Sequence, residues 1–383
     1  MLRLALILLY ASSLWSRAIA VDVPTEVAVT LTTSELFDLG DGSCDEASRI
    51  STIDAHLAEC VNLMNAALTA YHNLQDAAAY RKMFATWLSM EFDEFEDPVE
   101  VDEFFTDRWS TIQTRLAGVA QFLSGGGLVN AKSSDKPSLF CSDDFAVRKS
   151  WETTARDGSG EEMIKEKDDE GNVVETYTIA DVYPNIKLLK DTGEIDEDED
   201  ASMIMPYWVD YLKGYDFSAV GTENICDKDA LYGWTSRADD SPSTEAGNLD
   251  GFTFASFNRH ILLCPLTFSP PSQYHGTATL AELVTSAGYP VAAARILPEA
   301  YSTISCTLYH ELFHLVDSAG TDSDSGLYGS LKILDASFTA KKASVVNAPE
   351  PYVFFSLAAY LYQNPPSGSA AVAFIPPKGW QTL

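Results

Sequence analysis

The sequence predicts an α+β fold: mainly helical, with a small antiparallel sheet beside one helix of the C-terminal half. Three observations lead to it. Apolar residues recur at three- and four-residue steps through much of 43–122, the period of helices that bury one face. The same period returns over 304–315 and 352–362. Between these blocks, short runs such as Phe252-Thr253-Phe254 and His260 to Cys264 have the length and composition of strands.

In chain order, residues 1–20 read as a secretory signal. Arg3 supplies the positive start, Leu4 to Trp15 the apolar core, and Ala18-Ile19-Ala20 the small-x-small cleavage site before Val21. That core is shorter than the roughly 20 apolar residues a spanning helix needs. The run from Ala370 to Ile375, followed by Pro376-Pro377-Lys378, is not a lipid-anchor signal. The mature chain is therefore expected outside the cell, soluble, with no membrane contact. Residues 21–43 alternate Val27, Val29 and Leu31 with polar residues, as an edge strand or a short propeptide would.

Ser43 and Glu46 have the spacing of a capping box. Ile50, Ile53, Leu57, Val61, Met64, Leu68 and Tyr71 then mark a long amphipathic helix. A second helix is expected over about 76–90, with Tyr80, Phe84, Trp87 and Leu88 on one face. A third is expected over about 101–122, with Phe105, Trp109, Ile112 and Leu116. These aromatic stripes read as core. Ser124-Gly125-Gly126-Gly127 ends the helical block, and no Gly-Lys-Ser/Thr follows to make it a phosphate loop. Residues from about 141 to 226 are charged and less regular. Asp168 to Asn172 reads there as a turn between two strand-like runs, Val173 to Ile179 being the second. Past Gly329, Leu331, Leu334 and Phe338 continue another helix, and Pro351 suits the first turn of a last one.

The formal net charge of −31 excludes nucleic acid as a partner, because phosphates would be repelled. Self-repulsion on that scale favours a monomer. The acidic run from Glu194 to Asp200 reads as a solvated loop, with a calcium site as the lesser alternative. Without an Asn-x-Ser/Thr sequon, N-glycosylation is not expected. Six cysteines (Cys44, Cys60, Cys141, Cys226, Cys264 and Cys306) form an even set, which in an exported chain favours disulfides. Cys60 and Cys306 fall on helices that can pack together. None has Cys-x-x-Cys spacing, so a cysteine zinc site is not expected.

The chemistry concentrates in Leu308-Tyr309-His310-Glu311-Leu312-Phe313-His314-Leu315. Histidine is scarce, six in 383 residues, yet two stand four apart here. On a helix, i and i+4 share one face, so the two imidazoles can ligate one Zn²⁺. The intervening Glu311 can take a proton from a metal-activated water. Ile304, Leu308, Leu312 and Leu315 form an apolar stripe beside that face. Ser302 or Thr303 can cap its start, and Gly320 can end it. His260 and His275 are weaker candidates for further ligands.

The segment that follows, Gly320-Thr321-Asp322-Ser323-Asp324-Ser325-Gly326-Leu327-Tyr328-Gly329, resembles the aspzincins, the deuterolysin and peptidyl-Lys metalloendopeptidase family of fungi. That family carries H-E-x-x-H followed by G-T-x-D-x-x-Y-G. The Asp is its third zinc ligand, and the Tyr donates to the oxyanion. Here the segment between Gly-Thr and Tyr-Gly is longer, so the resemblance implies Asp324 as third ligand with Asp322 as the alternative, and Tyr328 as the oxyanion donor. The likeness extends over roughly 44–122 and 252–362. It includes Thr86-Trp87 and the segment from Val346 to Phe355, which is similar to the family's Asn-Ala-Asp-x-Tyr-x-x-Phe. In Lys-selective members that Asp helps hold the substrate lysine. Pro349-Glu350 stands in its place, so strict lysine selectivity is not implied, although Glu350 can substitute. Cys264 resembles the family's strand cysteine ahead of the zinc helix, whose upstream partner would here be Cys226 or Cys141.

The resemblance implies a zincin-like catalytic domain over 44–383 with an insertion at about 141–226. It implies a secreted fungal endopeptidase holding one Zn²⁺ on His310, His314 and Asp324. Its substrates would be polypeptides, Glu311 its general base and Tyr328 its oxyanion donor. The rival reading is a catalytically inactive protein of the same fold, kept as a secreted binding protein or effector.

Overall fold

The computed structural model describes residues 21–40, 42–93, 100–101, 103–129, 131–192, 201–218, 222–227, 231–236, 249, 251–268, 279–290, 298–316, 327–337, 339 and 344–374. Within them the fold is mixed α and β, with helices dominating the core and short strands grouped into small sheets. The expected signal segment, the acidic run from Glu194 to Asp200, His275, Gly320, Asp322, Asp324 and Phe338 lie outside the described residues.

Three helices make the N-terminal frame: α1 (Ala47–His72), α2 (Ala78–Trp87) and α3 (Thr106–Leu123). Each buries the face its periodicity marked: Ile53, Leu57, Met64 and Leu68 on α1, Phe84 and Trp87 on α2, and Ile112 and Leu116 on α3. A fully buried side chain of this size stabilises by about 1.5–3 kcal/mol. The proposed capping box does not form. Ser43 Oγ instead accepts the N–H of Cys141 at 2.9 Å, beside the Cys44–Cys141 disulfide, and Glu46 stands at the N-cap with no side-chain capping bond, its Oε2 3.2 Å from Nε of Arg49.

Residues 21–37 contain no strand; Thr33–Leu36 is one helical turn. Val27 uses the Asn65 side chain where a neighbouring strand would be. Its N–H donates to Oδ1 at 2.7 Å and its carbonyl accepts from Nδ2 at 3.1 Å. Val23, Val27, Leu36 and Phe37 are buried in the main core, so this segment packs as part of the helical body.

Among the described residues a short antiparallel pair joins Phe92–Asp93 to Glu100–Val101, and eight strands follow α3: β1 (Leu139–Phe140), β2 (Ala146–Arg148), β3 (Ile164–Lys167), β4 (Val173–Thr176), β5 (Met205–Val209), β6 (Gly214–Ser218), β7 (Gly233–Thr235) and β8 (Ile261–Leu263). The hairpin β3–β4 closes as expected around Asp168. Its carboxylate accepts the N–H groups of Glu170 and Asn172, and Gly171 takes a positive φ of 85°. Strands β2, β5 and β6 form an antiparallel sheet. It helps enclose a separate core of Trp151, Met163, Ile179, Tyr183, Trp208 and Phe217. Much of the stretch 141–226 thus gathers around an apolar centre of its own. Phe252-Thr253-Phe254 is not a strand. Its two rings pack onto that centre, and Thr253 spends its carbonyl on the N–H of Gly158 at 2.8 Å.

The sheet nearest the C-terminal helices has the order β1-β8-β7. Its β8–β7 pairing is antiparallel, as expected, but β8–β1 is parallel. Parallel neighbours need a crossover, and the long path from β1 to β8 supplies it. The disulfide Cys226–Cys264 fastens the chain beyond β6 to the residue just after β8. Three helices complete the body: α4 (Ser305–Val316), α5 (Ser330–Ser337) and α6 (Glu350–Gln363). The nine-residue helix Pro184–Thr192 lies within 141–226 and buries none of its side chains.

Candidate metal centre

Helix α4 carries the H-E-x-x-H pentapeptide, and its burial follows from its sequence. Leu308, Leu312 and Leu315 face the core, as do Tyr309 and Phe313. Its first residue, Ser305, donates through Oγ to Oε2 of Glu59 on α1 at 2.5 Å. Cys306 N–H uses the carbonyl of Thr303, so the backbone of Thr303 rather than its hydroxyl closes the first turn. Near the other end, the Arg259 guanidinium donates to the carbonyl of His314, where a cation meets the exposed end of the helix dipole favourably.

The two imidazoles stand as their spacing requires. The rings of His310 and His314 are 5.0 Å apart between centroids, inclined at 64°. His310 is buried and His314 half-buried. Nδ1 of His310 lies 2.9 Å from Oε2 of Glu350, the first residue of α6. A carboxylate accepts hydrogen bonds, so this contact places the proton on Nδ1 and makes Nε2 the basic nitrogen. Carboxylates placed on the outer ring nitrogen hold metal-bound histidines in this way.

Glu311 is buried and turned toward β7. Thr235 Oγ1 donates to its Oε2 at 2.7 Å. The approach of strand to helix depends on Gly233, where a Cβ would lie 3.0 Å from Cγ and Oε1 of Glu311 and from Cγ2 of Thr307. Tyr328 stacks on His310 at 5.9 Å between centroids and 16° between planes, and with 55% of its surface exposed it sits at the mouth of the site.

The structure therefore brings His310 together with His314 and Tyr328, while Glu311, beside His310 in the chain, contacts Thr235. Asp324 and Asp322 fall in 317–326, outside the described residues. Among the described residues, no group of three or more His, Cys, Asp and Glu side chains is arranged to hold a metal. The donor chemistry that is present fits zinc: two imidazoles on one helical face, one of them held by a carboxylate at its outer nitrogen.

His260 is not part of this centre. It is fully buried, with Nε2 2.7 Å from Oδ2 of the equally buried Asp216 on β6. The rings of Phe140, Phe145, Trp234 and Phe257 surround it. The cysteines likewise stay out of it. Cys264 pairs with Cys226, one of the two partners the resemblance allowed, and Cys44 pairs with Cys141. Cys60 on α1 and Cys306 on α4 are buried thiols, and Cys60 Sγ donates to the carbonyl of Ser305 at 3.7 Å. Burial pushes the Cys60 thiol well up and the Cys306 thiol up to about 12, so both are inert.

Three contributors escaped sequence reading: Gly233, Thr235 and the contact of Glu350 with His310. Gly233-Trp234-Thr235 carries no motif, and its meaning comes only from lying against α4. Glu350 was legible as a replacement for the family's acidic residue, but its orientation toward His310 was not.

No family model matches this chain, and no solved structure matches it. A curated protein of Penicillium expansum, "Non-secreted LysM effector LysM17", is 28% identical over 81 residues. The match takes in 21% of this chain, which spans 10% of that protein's length.

Proposed function

We propose that this chain is a secreted zinc-dependent endopeptidase that hydrolyses peptide bonds in extracellular proteins. The observation that carries this reading is the pairing of His310 and His314 on one face of α4, with Glu350 on the outer nitrogen of His310. Metal-bound histidines donate their other ring N–H to a carboxylate, carbonyl or water, and Glu350 supplies such an acceptor to His310. The two disulfides fit an oxidising, extracellular environment. Among the described residues, no helix is long and apolar enough to cross a membrane.

His310, His314 and a carboxylate from the segment that follows in the sequence, Asp324 in first place and Asp322 in second, would hold the ion. Zinc, when bound, supplies a Lewis acid that lowers the pKa of water and polarises the scissile carbonyl. Glu311 takes the proton of the attacking water on its carboxylate and passes it to the leaving amine nitrogen. Tyr328, at the mouth, donates its phenolic hydrogen to the developing oxyanion, a contribution of about 3–4 kcal/mol in comparable sites. Strand β7, with no neighbour on its outer side among the described residues, offers its backbone to an extended substrate by strand addition.

The test is elemental analysis of the purified secreted protein, together with digestion of a denatured protein with and without a chelator. The expected result is about one zinc per chain and chelator-sensitive cleavage. Glu311→Ala should abolish cleavage and keep the zinc. Zinc content should fall in Asp324→Ala, or in Asp322→Ala if the alternative ligand is the true one. A chain that binds zinc yet cleaves nothing under any condition would favour the rival reading, a non-catalytic binding protein or effector.

A further inference from the structure

The start of α6 is held unusually firmly for the first turn of a helix. Arg115, buried on α3, donates to the carbonyl of Val346 and lies 5.7 Å from the centre of the Tyr352 ring. Tyr352 returns its hydroxyl to the same Val346 carbonyl at 2.8 Å. Two more contacts register α6 against the H-E-x-x-H helix. The rings of Phe313 and Tyr352 stack at 4.7 Å, and Tyr309 Oη lies 3.0 Å from Ser356 Oγ. Pro349 at the N-cap and Pro351 in the first turn restrict the backbone on either side of Glu350. Every one of these contacts narrows the positions open to Glu350, whose side chain is only 19% exposed.

We propose that Glu350 is the positioning residue of the metal centre, fixing the tautomer and ring orientation of His310, and is not a residue that holds substrate. The inference rests on the zinc reading of His310 and His314. Its carboxylate contacts Nδ1, on the opposite side of the imidazole from Nε2. A group bound there cannot ligate an ion on Nε2, so Glu350 is also excluded from the ligand set. The role differs from the one the resemblance allows this position, contact with a substrate lysine. Its Oε2 is already spent on a buried histidine.

The experiment compares the wild-type chain with Glu350→Gln and Glu350→Ala, each checked for unchanged circular dichroism. In the metal-free proteins, long-range nitrogen–proton NMR correlations report the His310 tautomer. The wild type and Glu350→Gln, whose amide oxygen still accepts, should carry the proton on Nδ1. Glu350→Ala should lose that preference. Zinc affinity, by competition with a chromophoric chelator, should fall about 10–100-fold in Glu350→Ala and stay within a few-fold of wild type in Glu350→Gln. Wild-type zinc affinity in Glu350→Ala, or an Nε2–H tautomer in the metal-free wild type, would overturn the proposal while leaving the zinc reading standing. So would a change confined to the preference for lysine in substrates. A wild-type chain that binds no zinc would end both.

Discussion

The hydroxyl of Thr235 donates to Oε2 of Glu311 across 2.7 Å, joining the outer strand of the small sheet to the carboxylate at the centre of the H-E-x-x-H helix. Two residues upstream, Gly233 leaves no room for a side chain between that strand and Glu311. Gly233→Ala should therefore displace the carboxylate by a few tenths of an ångström, since its Cβ would stand 3.0 Å from Cγ and Oε1. The expected cost is about 1–2 kcal/mol of stability from overpacking. Peptidase turnover should fall about tenfold or more, because small misplacements of reacting groups are expensive. Thermal melts and kcat of this variant, with Thr235→Ser as a control that keeps the donor, check the claim.

His56 on α1 is buried, and its Nδ1 has no hydrogen-bond partner among the described residues. Burial lowers its pKa from the ordinary 6.5 to about 4. As pH falls below 6.5, the unfolded chain takes up a proton that the folded chain refuses, so stability is lost as the solution is acidified. The loss is complete below about pH 4 and reaches roughly 3 kcal/mol. Urea unfolding at pH 7 and at pH 4.5 should show a smaller acid-induced loss in His56→Leu than in the wild type. Equal losses would contradict the assignment.

The pair His260 and Asp216 ties β6 to the start of β8 in the sheet beside α4, with both side chains out of solvent. Removing one partner leaves the other buried in an aromatic box. Asp216→Ala is expected to destabilise the chain by about 3–5 kcal/mol. Asp216→Leu combined with His260→Phe should recover most of that loss, because an apolar pair has nothing left to desolvate. Denaturant titration of the single and double variants measures both effects.

Cys60 and Cys306 are thiols in the fold, and the other four cysteines are paired. Native protein at pH 8 should not react with a thiol reagent. Unfolded in denaturant without reductant, it should release two thiols per chain. A count of none would mean that the two sulfurs are joined.

The helices and the side-by-side histidines were legible in the sequence because both are local. Spacing along one helix determines which side chains share a face, whatever the rest of the chain does. The run of buried positions on α1, α2 and α3 needed no tertiary knowledge for the same reason. Elements whose local pattern had a competing long-range partner were misread. Ser43 gave its hydroxyl to Cys141 instead of capping α1, and the Phe252–Phe254 stretch spent its rings on the separate core around Trp151.

What the sequence by itself determined is the helical frame, the pair of imidazoles on α4 and the carboxylate between them. Only the tertiary structure decided how those groups are held. Glu350 meets His310 from 40 residues away, and Thr235 meets Glu311 from 76 residues away. The reason is physical: periodicity encodes which way a side chain points from its own helix. The hydrogen-bond partner it finds there depends on how distant elements pack, and no spacing along the chain records that.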